Sequence, residues 1–234
     1  NDVFDTELDA RERPERPIPS GRASRRGAAW LGGLLLAGGI AVANWVSVTS
    51  GALAVLVAAG AVLYDARAKH HTVFGPLVMG ACRGGNLLLG VSAVPAMMLA
   101  SWYFVMLPIA YIAAITAISQ GEVHGGTSRT GYGALGLVVS VIASLLMLGV
   151  RADYRMLHAL PFVLVLAVQV VPPFWRAART PSPALIQNAV KAGVVALIPL
   201  NAALAAGFGG WMYGVLVLLL LPLSMGIGRL FAVT

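Results

Sequence analysis

This sequence of 234 residues has few charged side chains, and Cys82 is its only cysteine. Charged residues make up 11% of the chain and hydrophobic residues 59%, which excludes an ordinary soluble globular protein. A single cysteine cannot form an intrachain disulfide, and the sequence has no zinc-ligand spacing. It also has no Walker loop, no dinucleotide fingerprint and no nucleophile elbow, so the sequence signatures of nucleotide-binding proteins and α/β-hydrolases are absent.

Long apolar segments fill most of the chain instead. A transmembrane helix needs about 20 apolar residues to cross roughly 30 Å of hydrocarbon. Most of the segments approach that length, so the sequence predicts an all-α, polytopic membrane protein with about eight spans. The segments are residues 29–48, 50–66, 76–99, 101–119, 133–150, 157–174, 186–207 and 209–231. The glycine pairs Gly32-Gly33 and Gly38-Gly39 are predicted to let neighbouring helices approach closely.

Basic residues outnumber acidic ones by 16 to 9, and the formal net charge is +7. Threading the spans alternately leaves only Arg151 and Arg155 on one side and places the other basic residues on or near the opposite side. The positive-inside rule makes that opposite side cytoplasmic. Residues 1–26, the 65–75 loop and the 119–132 loop then face one compartment. Their positive charge suits anionic membrane lipids and a diphosphate, and we expect no nucleic-acid partner.

Residues 1–21 read NDVFDTELDARERPERPIPSG and combine closely spaced acids with arginines. Asn1, Asp5 and Asp9 recur every four residues, so a helix would place their side chains on one face. Because like charges repel, this crowding is favourable only if cations bind there, and oxygen ligands suit Mg²⁺. Arg13 and Arg16 follow, and guanidinium groups bind phosphate bidentately. The alternative is a solvated juxtamembrane loop of mixed charge.

The same segment resembles the first aspartate-rich motif of the UbiA superfamily of intramembrane prenyltransferases. In that superfamily an Asn is followed by two Asp at four-residue steps and then by an RPxRPIPSG tail, all of which this sequence keeps without a gap. The resemblance implies that Asn1, Asp5 and Asp9 bind Mg²⁺. It also implies that residues 1–234 form a single UbiA-like domain, a bundle of transmembrane helices around a central cavity. Family members usually have two transmembrane helices before this motif, so we expect a further segment upstream of Asn1.

A second informative stretch, residues 64–90, passes from a polar loop into an apolar helix that still contains Arg83 and Asn86. These two side chains share a helix face, and Arg83 lies about 10 Å below the interface, where an unpaired charge is costly. We expect both to line a polar cavity and bind substrate; the alternative is an arginine that snorkels to the interface. The superfamily has in this loop a Tyr and a Lys that faces the diphosphate, so the resemblance implies those roles for Tyr64 and Lys69.

A third stretch, residues 119–129, reads SQGEVHGGTSR and departs from the superfamily pattern. Typical members have a second aspartate-rich motif here, spaced close to DxxDxxxD, whereas this sequence keeps only Glu122 as an acid. We expect Glu122 to be the metal ligand from this loop and His124 and Arg129 to touch phosphate oxygens. The neighbouring glycines would let backbone N–H groups approach an anion. The alternative is a flexible turn.

These features together predict a membrane prenyltransferase. Mg²⁺ would neutralise the diphosphate of an isoprenyl donor, while Lys69 and the arginines stabilise the leaving group. An acceptor, either a small molecule or a lipid, would capture the allylic cation in a cavity shielded from water. The alternative from the acid-poor third stretch is a degenerate homologue that binds an isoprenoid diphosphate or lipid without turnover.

A narrower resemblance concerns residues 69–90, whose sequence is similar to that of proteins in the EboC-like branch of the superfamily. That branch is linked to bacterial secondary-metabolite gene clusters. The resemblance implies an integral protein of a bacterial inner (plasma) membrane with its active-site loops on the cytoplasmic side. It also leaves open a membrane subunit of a secondary-metabolite export system.

Overall fold

The computed structural model describes residues 1–230, and these form helices without any strand. The chain divides into two compact units, Asn1–Ile109 and Ala110–Thr234. The first unit contains α1 (Thr6–Glu12), α2 (Arg25–Val46), α3 (Val48–Ala66), α4 (Phe74–Val91) and α5 (Pro95–Ser101). The division lies within α6 (Met106–Ser119). The second unit contains α7 (Ser128–Met147), α8 (Met156–Arg179), α9 (Pro183–Val195), α10 (Leu197–Gly209), α11 (Trp211–Leu218) and α12 (Leu220–Leu230). Short 3₁₀ turns lie at Ala68–His70, Trp102–Val105 and Leu148–Val150.

The described part of the chain has six helical segments that are long and apolar enough to cross a membrane. They are Arg25–Val46, Val48–Ala66, Trp102–Ser119, Ser128–Val150, Met156–Arg179 and Pro183–Gly209. This confirms an all-helical integral membrane protein, and the predicted count of about eight spans is roughly matched. The predicted span 76–99 is interrupted, because α4 ends at Val91 and a new helix begins at Pro95. The predicted span 209–231 begins after Gly210 and breaks at Leu219, and its last residue lies outside the described part.

In the first unit, α2, α3 and α4 follow one another as sequential packed neighbours. The Ser24 side chain accepts a hydrogen bond from Gly27 N and so starts α2, and Ser47 starts α3 in the same way through Ser50 N. The buried hydroxyls of Ser50 and Ser92 lie 2.8 Å apart and join the start of α3 to the end of α4. The opposite ends of these two helices are therefore joined by the turn that contains Lys69.

In the second unit, the core lies between α7, α8 and α10. The buried residues of α8 recur every three or four positions, which is the apolar stripe of a helix that packs on one side. They are Ala159, Phe162, Val163, Leu166, Val170, Phe174, Ala177 and Ala178. Three prolines within α8 fit a membrane helix, where neighbouring groups satisfy the freed carbonyls.

Two glycines mark places where backbones meet closely. A Cβ added to Gly131 would lie 2.6 Å from Ala178 Cα, and one added to Gly80 would lie 2.8 Å from the carbonyl oxygen of Ile109. Both positions confirm that glycine lets helices approach in this protein. The predicted role of the glycine pairs at 32–33 and 38–39 is not observed, since added Cβ atoms there would meet no atom of the described residues within 4 Å.

Candidate functional site

The aspartate-rich segment forms a turn followed by the short helix α1. The Asn1 carbonyl accepts hydrogen bonds from Phe4 N (2.8 Å) and Asp5 N (3.1 Å), and the Asp5 carbonyl accepts one from Asp9 N (2.8 Å). Residues four apart therefore follow one another at one helical turn, as their spacing predicts. Asp5 lies at the N-terminal end of α1, and Asp9 is buried within it.

Lys69 brings the turn between α3 and α4 onto this segment. Its ammonium group donates a hydrogen bond to Asn1 Oδ1 (3.1 Å) and forms an ion pair with Asp5 Oδ1. The Lys69 and Asp5 side chains are only 13% and 14% exposed, so the pair is largely shielded from water. The turn is held by His71, whose Nδ1 accepts a hydrogen bond from Phe74 N (3.3 Å) at the start of α4.

Arg16 pairs with the other predicted metal ligand. Its Nη1 lies 3.0 Å from Asp9 Oδ2 and 3.5 Å from Asp2 Oδ1. Asp9 is only 5% exposed, so this carboxylate is buried against a guanidinium group. Arg16 therefore contacts a carboxylate in the structure, whereas its position in the sequence predicts that it binds phosphate. Arg13 is half-buried at the end of α1, and its side chain has no hydrogen bond or ion pair within residues 1–230.

Asp65 joins this group, although the sequence pattern does not predict a role for it. Its Oδ2 lies 3.3 Å from the main-chain nitrogen of Asn1. It occupies the last turn of α3 beside the half-buried Tyr64, so the end of this helix faces the start of the aspartate-rich segment. The sequence feature that could have indicated Asp65 is its position directly after Tyr64, in the loop where the resemblance assigns roles only to Tyr64 and Lys69.

The remaining predicted residues of the first unit lie on α4. Arg83 is half-buried and Asn86 is exposed. Neither side chain has a hydrogen-bonding partner among residues 1–230. Their predicted role in lining a cavity stays a prediction.

The third stretch folds as a hydrogen-bonded turn within the second unit. Gly121 N donates to the Ile118 carbonyl, Gly125 N to the Gly121 carbonyl, and Gly126 N to the Pro181 carbonyl, at 3.0–3.1 Å. Because these three N–H groups are already bonded, the interpretation that they receive an anion is wrong for this structure. Gly125 has φ +82°, a conformation that favours glycine.

The side chains of this turn have different surroundings. Glu122 is half-buried, and its carbonyl accepts a hydrogen bond from Gln187 Nε2 (3.0 Å), while His124 and Arg129 are exposed. A small recess of about 130 Å³ lies beside the turn in the second unit. Its polar side chains are Gln120, Thr127 and Thr130, and Ala117, Ile118, Ala177 and Ile186 supply apolar walls.

The donor atoms of the aspartate-rich segment fit a hard cation. Asn1 Oδ1 and Asp5 Oδ1 both contact a single ammonium nitrogen, so two oxygens already converge on one positive centre. Oxygen donors of this kind are those that Mg²⁺ prefers. No group of three or more His, Cys, Asp or Glu side chains within residues 1–230 is arranged to hold a metal, and Asp9 is instead paired with Arg16.

Comparison with known proteins extends these observations. The model of the UbiA prenyltransferase family matches residues 1–180. The digeranylgeranylglyceryl phosphate synthase of Thermococcus kodakarensis is 29% identical over 160 residues, which cover 62% of this chain and 58% of that protein. The enzyme of the same name from Methanothrix thermoacetophila is 41% identical over 91 residues, covering 38% of this chain and 34% of that protein. The chain thus spans less than two thirds of the length of these curated relatives.

One solved structure has a similar fold. It is described as "Structural and mechanistic insights into the biosynthesis of Digeranylgeranylglyceryl phosphate synthase in membranes". The TM-score is 0.63 at 19% identity, covering 88% of this chain and 78% of that chain. At this identity the similarity establishes the fold alone.

Proposed function

This chain belongs to the UbiA prenyltransferase family, and on that basis we propose that it is a membrane prenyltransferase that transfers an isoprenyl group from an isoprenyl diphosphate. The observation that carries the proposal is the convergence of Asn1, Asp5 and Lys69 at the end of α3. Lys69 is 68 positions from Asn1 and 64 from Asp5 in the chain, so the fold brings it to them. Both charge signs that an Mg²⁺-diphosphate needs are present at this place.

In this proposal, acidic and amide side chains bind the metal, and basic side chains bind the diphosphate. Asn1, Asp5 and Asp9 would hold Mg²⁺, and Glu122 would add an acid from the third stretch. When bound, Mg²⁺ would neutralise the diphosphate and make it a better leaving group.

Basic side chains would bind the diphosphate itself. Lys69, Arg13 and Arg16 would bind phosphate oxygens through N–H groups, and Tyr64 would orient the diphosphate from the end of α3. His124 and Arg129 are proposed as further phosphate-binding donors.

The apolar helices provide the second requirement, which is exclusion of water. An allylic cation formed when diphosphate leaves reacts with any nearby nucleophile, including water. A cavity within an apolar helix bundle favours capture by the acceptor. We propose that Arg83 and Asn86 are the polar lining of this cavity on α4.

The relatives point to a class of acceptor. Their name describes the synthesis of a glyceryl phosphate that carries two geranylgeranyl groups. We propose a hydroxyl group of a glyceryl phosphate lipid as the acceptor in this chain and geranylgeranyl diphosphate as the donor. The EboC-like branch and its secondary metabolites stay a prediction, since these relatives have a different name.

The membrane orientation follows from the basic residues. We propose that the aspartate-rich segment and the 119–132 turn face the cytoplasm, because the positive-inside rule places Lys- and Arg-rich segments there. The relatives come from archaea, so a bacterial inner membrane stays a prediction from the EboC-like resemblance.

The test uses the complete protein in lipid nanodiscs with labelled geranylgeranyl diphosphate and Mg²⁺. Diphosphate release that depends on a glyceryl phosphate carrying one prenyl chain would support the proposal, and the labelled product identifies the acceptor. An aromatic acceptor and the variant Asp5→Asn are the controls. Release with the aromatic acceptor alone would overturn the acceptor class.

A second candidate function is binding of an isoprenyl diphosphate without turnover. It is favoured by the third stretch, where Glu122 is the only acid and the glycine N–H groups are occupied. Tight donor binding with no diphosphate release under any acceptor would establish this function instead.

A further inference from the structure

The acids of the aspartate-rich segment are already bound to cations that belong to the chain. Asp5 pairs with Lys69, and Asp9 pairs with Arg16. The four side chains are each no more than 20% exposed, so both pairs are poorly solvated. The repulsion expected from acids at four-residue spacing is thus relieved within the protein itself.

The position of the Lys69 ammonium is informative. Its nitrogen contacts Asn1 Oδ1 and Asp5 Oδ1 together, and these are two of the oxygens proposed to bind a metal. A cation bound by both oxygens would have to share them with Lys69 or replace it. Arg16 likewise binds the Asp9 carboxylate, so a metal ligated by Asp9 would meet the same competition.

We propose that Lys69 and Arg16 are resident counter-cations of this segment, which a divalent cation must displace before it binds Asp5 and Asp9. The inference rests on the proposed function of the site. The Lys69 ammonium, once displaced, no longer has the Asp5 carboxylate beside it in a poorly solvated place, which is unfavourable unless an anion binds it. The diphosphate is such an anion, so metal and donor should each strengthen the binding of the other.

This exchange predicts that removal of Lys69 raises the affinity for the metal and lowers the affinity for the donor. If Lys69 contacted only the diphosphate, its removal would leave the metal affinity measured without donor largely unchanged. A resident counter-cation competes with the metal, so its removal should tighten metal binding without donor. In both cases donor binding should weaken.

The experiment measures Mn²⁺ binding to the full chain in nanodiscs by electron paramagnetic resonance of free Mn²⁺, with no donor present. The variants are Lys69→Met and Arg16→Met. Arg13→Met is the matched control, because Arg13 has the same charge nearby but no ion pair within residues 1–230. We expect about tenfold tighter Mn²⁺ binding for Lys69→Met and a change of about twofold or less for the control. Lys69→Arg should keep the wild-type affinity.

A thermal measurement protects the test against poor folding of a variant. Lys69→Met should unfold at a lower temperature than wild type without metal and gain more stability from Mn²⁺, because the metal replaces the missing cation. Equal Mn²⁺ affinities for Lys69→Met and Arg13→Met would overturn the inference while leaving the proposed function intact. No Mn²⁺ binding by any protein, wild type included, would overturn both. Wild-type Mn²⁺ binding without prenyl transfer would overturn only the proposed function.

Discussion

The buried Asp9–Arg16 pair predicts that Asp9→Asn harms stability as well as metal binding. Asp9 is 5% exposed, and its Oδ2 accepts a hydrogen bond from Arg16 Nη1 at 3.0 Å. The substitution removes the negative charge and leaves a guanidinium group whose nearby acid, Asp2, is exposed and 3.5 Å away. Breaking one side of a buried charged pair in this way costs about 2 kcal/mol. Asparagine keeps the shape of the side chain, so the loss reports charge rather than packing.

The assay is equilibrium unfolding in mixed micelles for wild type, Asp9→Asn, Arg16→Met and the double variant. We expect a coupling energy of roughly 1–2 kcal/mol between the two residues. Asp153→Asn is the control, because its pair with Arg151 is exposed although it has two hydrogen bonds of 2.8 Å. Solvent screens such a pair, so its loss should be too small to resolve. Equal losses for Asp9→Asn and Asp153→Asn, or a coupling energy near zero, would refute the reasoning.

Three further predictions concern other parts of the chain. Arg83→Leu should weaken donor binding without loss of stability if the side chain lines the cavity, and unchanged binding in a donor titration would favour the snorkelling interpretation. Glu122→Gln should shift the Mg²⁺ dependence of donor affinity to higher concentration, and superimposable curves for variant and wild type would exclude this turn as a metal site. Gly131→Ala should destabilise the protein by about 2 kcal/mol, since the added Cβ would lie 2.6 Å from Ala178 Cα, whereas Gly133→Ala in the same helix meets open space and should be neutral or stabilising in thermal unfolding.

The aspartate-rich segment shows which features of the candidate site residue spacing can predict. Four-residue spacing predicts that Asn1, Asp5 and Asp9 stack along a turn, and the hydrogen bonds through their backbones agree. It also predicts that the stacked acids need cations. Spacing cannot identify those cations, because Lys69 arrives from a distant turn and Arg16 looks equivalent to its neighbouring arginines in the sequence.

The predicted count of about eight spans is only roughly matched, for a physical reason. The apolar character of the sequence continues across residues 91–95, but the helix does not. Proline prefers the first turn of a helix, and a new helix begins at Pro95. Polar residues inside α4, Arg83 and Asn86, further reduce its apolar character. Proline position therefore carried information that composition alone could not supply.

The third stretch limits how much positive charge the protein can neutralise. Its glycine N–H groups bond to carbonyls of the same unit, so they offer nothing to an anion, and its only acid is Glu122. In the first unit, Asp5 and Asp9 each already balance one positive side chain. Asn1, Asp5, Asp9 and Glu122 would offer three carboxylates to two divalent cations, and two of these carboxylates already pair with Lys69 and Arg16, whereas one divalent cation would require only one of those pairs to open. We therefore propose a single metal assisted by basic side chains, an arrangement for which one acid in the third stretch would suffice.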